Sequence, residues 1–166
     1  HKFIINAVSK LKDKFPDLIY LIAGKGPYLE EIKKYVRQLS LENHVVFLGW
    51  ITEPEKSLIL KNSEVFAMTP TTVGESVEGF GMAFIDAAFH GIPSVGSRSG
   101  GISDAIIENE TGLLAEAGNQ EEITKKLTEL LDNTELRIKL GKRGKEVAES
   151  HYSWENKIIE YLEAAN

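Results

Sequence analysis

The sequence predicts an α/β fold, a doubly wound parallel sheet flanked by helices. Three observations predict it: short apolar runs alternate with amphipathic stretches, the first two runs close on a glycine (Gly24, Gly49), and the first run is continuously apolar, the pattern of a strand covered on both faces. Ile4, Ala7, Val8 and Leu11 recur at helical spacing, and Phe15-Pro16-Asp17 ends that helix. Leu18 to Ala23 is the first strand, closed by the turn Gly24-Lys25-Gly26-Pro27, where Pro27 suits the first position of a helix carried by Leu29, Ile32, Val36 and Leu39. Val45 to Leu48 is the second strand, ending at Gly49, and Pro54 to Lys61 a short helix. Val65 to Met68 is the third strand, and a loop rich in Thr, Gly, Glu and Ser runs from Thr69 to Gly79.

A helix from about Gly81 to His90 stops at Gly91-Ile92-Pro93, a C-cap glycine with a following proline. Pro93 to Gly96 and Gly112 to Ala115 are two further strands. The remainder reads as helical: one helix marked by Ile123, Leu127, Leu130 and Leu131, one over about Thr134 to Glu149, and a last one over Trp154 to Ala164.

The 166 residues suffice for one domain around a single core, with no repeat and no linker. The opening His1-Lys2-Phe3-Ile4 enters helical pattern with no cap and no leading Met, which reads as a piece of something longer. A net charge of −6 argues against a phosphate-backbone binder, because such affinity rests on excess Lys and Arg. The absence of cysteine removes disulfides and thiolate metal sites and permits a reducing compartment. No apolar run is long enough to span a bilayer.

In doubly wound sheets ligands bind beyond the carboxyl ends of the strands, so the loops of interest are Gly24–Pro27, Gly49–Glu53, Thr69–Gly81 and Gly96–Ser103. The third carries most chemistry: Gly74-Glu75-Ser76-Val77-Glu78-Gly79-Phe80-Gly81-Met82 leads into a helix bearing Asp86. Glycines on both sides of Phe80 let backbone approach a ligand, and the helix behind them presents amides and a positive dipole end, a seat for phosphate. Glu78 at the mouth of that seat is unfavourable unless it serves sugar hydroxyls, and the Asp86 carboxylate suits the paired hydroxyls of a ribose. Ser97-Arg98-Ser99-Gly100-Gly101-Ile102-Ser103-Asp104 is a second candidate, with paired glycines that could admit phosphate or sugar or make only a tight turn. Gly24-Lys25-Gly26-Pro27 is half a dinucleotide fingerprint, without the third glycine or the downstream acid.

The ordered set Gly24-x-Gly26-Pro27, Val46-Phe47-Leu48-Gly49, Glu78-Gly79-Phe80-Gly81, Gly91-Ile92-Pro93-Ser94-Val95, Gly100-Gly101 and Thr111-Gly112-Leu113-Leu114, closed by Tyr152-Ser153-Trp154, resembles the group-one (family four) retaining glycosyltransferases of GT-B type. The resemblance covers nearly the whole chain, and the lead-in Gly74-Glu75-Ser76-Val77-Glu78 looks closest to members that mannosylate lipids. It implies a Rossmann-like C-terminal, nucleotide-sugar-binding domain over residues 1–166, with the first strand, an upstream Arg and Lys, and an N-terminal acceptor-binding domain missing from this chain. The implied reaction is transfer of a sugar from a nucleotide diphosphate sugar to an acceptor hydroxyl, on a glycan or lipid-linked, with retention, the isolated domain being inactive.

Carried over by position, Glu78 is implied to be the catalytic carboxylate at the donor sugar, and Gly79, Phe80, Gly81, Met82, Gly24 and Gly26 to face sugar and diphosphate. Asp86 is implied to hold the ribose, where the family usually has Glu, and Trp50 and Ile51 to hold the base. No metal and no cofactor is implied, the nucleotide sugar being a substrate. The implied location is cytoplasmic, peripheral at the inner membrane face if the missing part makes that contact. The alternative is an inactive nucleotide-sugar-binding or regulatory module of the same fold. Outside this pattern Glu75 reads as a surface charge, His90 as favourable at a helix C-terminus, and His44 and His151 as surface or packing residues. Arg137, Lys139, Lys142, Arg143 and Lys145 read as a solvated face, and Trp154 as a core anchor.

Overall fold

The computed structural model describes residues 1–71, 79–153 and 158. Helices and strands alternate as α1 (Lys2–Leu11), β1 (Tyr20–Ala23), α2 (Leu29–Gln38), β2 (Val45–Gly49), α3 (Glu53–Lys61), β3 (Phe66–Ala67), α4 (Met82–Phe89), β4 (Ser94–Arg98), α5 (Ile102–Ala105), β5 (Gly112–Glu116), α6 (Gln120–Asp132) and α7 (Thr134–His151). The strands pair in parallel, so the predicted class is the observed one. The expected last helix, Trp154 to Ala164, lies outside the described residues apart from Ile158.

The described strands form two sheets rather than one continuous sheet. β1 pairs with β2, and β4 stands between β3 and β5. β1 is shorter than its apolar run because Leu18 donates to the Phe15 carbonyl in the turn made by Pro16, and pairing starts only at Tyr20. The four-residue α5 follows Gly100-Gly101 directly and was not among the predicted elements.

Alternation of side chains along β5 divides the core. Leu113 joins a cluster with Val95, Ile5, Val8, Ile123, Leu127 and Leu130, beneath α1 and α6. Its neighbour Leu114 points to the opposite face, against Phe84, Ile102 and Ile106 of the α4–α5 side. Phe84 also meets the Phe66 ring edge-on at 5.3 Å.

The connections follow local rules. Thr52 and Glu55 form a reciprocal capping box at the start of α3, while Asn119 and Asn133 cap α6 and α7 from their side chains. Gly91 ends α4 at φ 73°, the left-handed conformation expected of it. Gly141 lets α7 lie directly on that turn, since a Cβ there would fall 2.0 Å from the Gly91 carbonyl oxygen. Arg137 donates to the Leu130 and Leu131 carbonyls at the end of α6, and Arg143 pairs with Glu110 and Glu146 on the surface.

Candidate functional site

The facing edges of the two sheets border one cleft of about 680 Å³, lined along its length by Tyr20–Ala23 of β1 and by Val65–Met68 around β3. Strand direction gives it two ends. Asp17, Asn62, Ser63 and Glu64 lie at the amino end, and Gly24, Trp50, Ile51, Lys56, Ala83 and Asp86 at the carboxyl end, where ligands bind in such sheets. An open depression over α1 and α6, lined by Lys10, Glu121 and Lys125 among others, lies away from the strand ends.

Local backbone explains two glycines at this end. Gly24 (φ 114°) and Gly49 (φ 69°) adopt conformations that disfavour a side chain, and the Gly24 amide donates to the Gly49 carbonyl at 2.6 Å. The loops after β1 and β2 are thereby tied together, and Trp50 projects from the second with 75 % of its surface exposed. Gly26 is not among the residues that line the cleft, and nothing stands within 4 Å of where its Cβ would be.

Asp86 sits on α4 with its side chain about one-third exposed, and its Oδ2 accepts from Lys56 Nζ at 2.8 Å. Lys56 also contacts Glu53 at 2.8 Å, so one ammonium bridges a carboxylate of α4 and one at the start of α3. The hydrogen bond to Asp86, followed by that to Glu53, holds the Lys56 pKa above its ordinary value. One helical turn on, His90 Nε2 lies 2.8 Å from Ser57 Oγ while its Nδ1 lies 3.0 Å from the Asp86 carbonyl. Asp86 and His90, four residues apart, thus clasp α3 through Lys56 and Ser57. His90 serves that clasp as well as the helix end. His44, through Leu18, and His151, through Val147, make backbone contacts.

Gly81, at φ 82°, starts α4, and among the described residues no acidic side chain lies in the first turn, where the positive end of the helix dipole falls. Gly79, Phe80 and Met82 flank that start, and Met82 is 63 % exposed. Glu78 and Glu75 lie outside the described residues. The structure therefore brings Gly24, Trp50, Ile51 and Asp86 to one cleft end and sets Gly79–Met82 at the head of the helix that carries Asp86.

The second candidate loop has a different part. Arg98 is engaged by Glu108 and Glu116, Asp104 lies on the exposed side of α5, and Gly101 presses against the backbone of Gly79. What Gly101 admits is protein backbone, not an open ligand space. Lys56 was not singled out in the sequence. Its only local signal was the spacing of three from Glu53, a pattern common on any solvated helix.

Comparison with known proteins bears on this arrangement. The family model described as "Glycosyl transferases group 1" matches residues 1–147. A GDP-mannose-dependent α-(1-6)-phosphatidylinositol monomannoside mannosyltransferase of Mycolicibacterium smegmatis is 31% identical over 153 residues, 91% of this chain and 40% of that protein. A sulfoquinovosyl transferase of Arabidopsis thaliana is 31% identical over 90% of this chain and 28% of that protein. Among solved structures, Anabaena HepE in complex with UDP-glucose superposes with a TM-score of 0.85 at 20% identity, over 100% of this chain and 45% of that one. The C-terminal domain of a group 1 glycosyl transferase from Francisella tularensis gives 0.78 at 22% identity, over 92% of this chain and 78% of that one. The chain spans less than half the length of the curated relatives it matches.

Proposed function

Because the chain belongs to the group 1 glycosyltransferases, we propose that it is the donor-binding, C-terminal half of a retaining GT-B enzyme that moves a sugar from a nucleotide diphosphate sugar to an acceptor hydroxyl. The observation that carries this reading is the meeting of Asp86, Trp50, Ile51 and Gly24 at the carboxyl end of one inter-sheet cleft. Asp86 accepts the ribose hydroxyls, with Lys56 occupying one side of Oδ2 and leaving Oδ1 free of that contact. Trp50 and Ile51 flank the base, and Gly79–Met82 at the positive end of α4 carry diphosphate and sugar. Glu78 binds the transferring sugar. As the bond from the sugar to the diphosphate breaks, charge collects on the diphosphate, so donors aimed there supply much of the acceleration.

The cleft also accounts for the divided sheet. One further parallel strand seated between β1 and β3 gives the order β2-β1-X-β3-β4-β5, which reverses at X, and the reversal point of a doubly wound sheet is where nucleotides bind. In this reading X is supplied by chain preceding α1, α1 being the crossover helix that carries X into β1 with the usual right-handed sense. The acceptor is held by an N-terminal domain outside this chain.

The test is ligand-observed NMR of the protein with GDP and UDP, the nucleotides named for its relatives and for HepE, repeated on Asp86→Ala. One nucleotide should bind, and the variant should weaken it about tenfold, the loss appropriate to a hydrogen bond made by a charged group. Unchanged binding by the variant would remove Asp86 from the site. In the full-length enzyme Glu78→Ala should lower transfer by roughly a hundredfold with folding intact; near-normal turnover would end the role given to Glu78.

A further inference from the structure

We propose that Gly101 and Tyr152 are positioning residues that set the backbone at Gly79–Phe80 from behind, so that the Gly100-Gly101 loop acts on the site through another loop instead of by touching a ligand. The inference rests, for its consequence on binding, on the donor reading above; its structural half does not.

Three segments distant in sequence meet here. The first clue is that the two glycines have different reasons to be glycine. Gly100 has φ 56°, a conformation that disfavours a side chain whatever surrounds it. Gly101 has φ −80° and ψ 10°, which any residue adopts. What forbids a side chain at Gly101 is space: a Cβ would lie 2.0 Å from the Gly79 carbonyl oxygen, 3.0 Å from its carbon and 3.1 Å from Phe80 Cα. All three are backbone atoms, so no side chain can swing aside to make room. Even to reach 3.0 Å, the least separation a Cβ tolerates, one loop must move by about 1 Å.

The second clue comes from the other side of the segment. The Phe80 ring meets the Tyr152 ring edge-on, with centroids 5.6 Å apart and planes at 64°. Tyr152, just past α7, donates its hydroxyl to the Asp104 carbonyl at 3.3 Å. Asp104 belongs to α5, the helix that follows Gly101. The contacts close a ring: Gly101 against Gly79, Phe80 against Tyr152, Tyr152 back to α5. A peptide held at both its carbonyl and its adjoining side chain is fixed in place and in tilt. On the donor reading this peptide faces diphosphate and sugar, where a displacement of about 1 Å can cost about a hundredfold.

The experiment records amide NMR spectra of the wild-type chain, Gly101→Ala, Tyr152→Leu and Tyr152→Phe, each titrated with GDP-mannose, UDP-glucose, GMP and UMP. In Gly101→Ala the resonances of Gly79, Phe80 and Gly81 should move while those of Trp50 and Ile51 stay. Affinity for the sugar nucleotide should fall about tenfold to a hundredfold, and that for the monophosphate of the same base should hold, because ribose and base are bound elsewhere in the cleft. Tyr152→Leu should act in the same direction, and Tyr152→Phe, which keeps the ring contact, should act less. A general loss of stability would weaken both ligands alike, so an equal loss would overturn the proposal. Unmoved Gly79–Gly81 resonances in Gly101→Ala would overturn it too. Should that variant fail to fold, Tyr152→Leu carries the same two readouts without a backbone clash. If the wild type binds none of the four probes while the resonances move as stated, the support by Gly101 stands and the donor reading falls.

Discussion

The two sheets of this protein end in different states of burial, and the more exposed one has the more apolar strands. In the three-stranded sheet β4 has a neighbour on each side, and Ser94 to Ser97 are buried, with Val95 and Ser97 at 0% exposure. In the two-stranded sheet Ile22 of β1 and Val45 of β2 are buried, while Leu21 keeps 39% and Val46 of β2 keeps 40% of its surface exposed. The first sheet closes a core on both faces, whereas the second gives one long edge to a cleft. The difference teaches that a strand's burial follows from having a neighbour on each side and not from its own apolarity. The less buried edge is the one that borders the inter-sheet cleft.

The largest effect separating the two regions should come from truncating their apolar side chains. Phe84→Ala, emptying the cluster shared with Ile102, Ile106 and Leu114, should cost about 3–5 kcal/mol in denaturant unfolding. Leu21→Ala in the cleft should cost less than about 1 kcal/mol, since much of that side chain already meets water. Equal losses would mean that the cleft edge is as well packed as the closed core.

A smaller effect should come from the clasp that joins α3 to α4. Lys56→Met should weaken nucleotide binding by no more than about fivefold, because an ion pair that is one-third exposed contributes only ~0.2–1 kcal/mol to holding Asp86. Measured by titration calorimetry, a tighter-binding variant would show that Lys56 competes with the ribose instead of orienting its acceptor. The sign of the pH dependence follows from its raised pKa. The Lys56 contribution is complete below the ordinary value of 10.5 and is lost as pH climbs through the higher folded value.

The smallest effect should be at the capping box. Thr52→Ala removes the side-chain acceptor for the Glu55 amide and should cost about 1 kcal/mol in thermal unfolding. It should leave the three-stranded sheet untouched, as judged by hydrogen exchange on β4. Slowed or hastened exchange there would show that the two regions unfold as one.

The alternation of elements, the glycine turn at Gly91 and the candidate strand-end loops were legible in the sequence because they depend on local chemistry: side-chain periodicity, backbone freedom and capping. The family could be read from motifs kept in order along nearly the whole chain, and the family-model match over residues 1–147 agrees. Asp86, Trp50, Ile51 and Gly24 were also named from sequence, and tertiary structure decided that they share a cleft while Gly26 stands apart. Only the folded chain could show Lys56 on Asp86 and Gly101 beneath Gly79, for those pairs lie 30 and 22 positions apart. A contact between residues so separated leaves no periodicity to read, because its distance is set by how whole helices and strands pack. The sheet's division has the same cause: the apolar run of β1 specifies a strand, but the partner on each edge is chosen by what else is folded beside it.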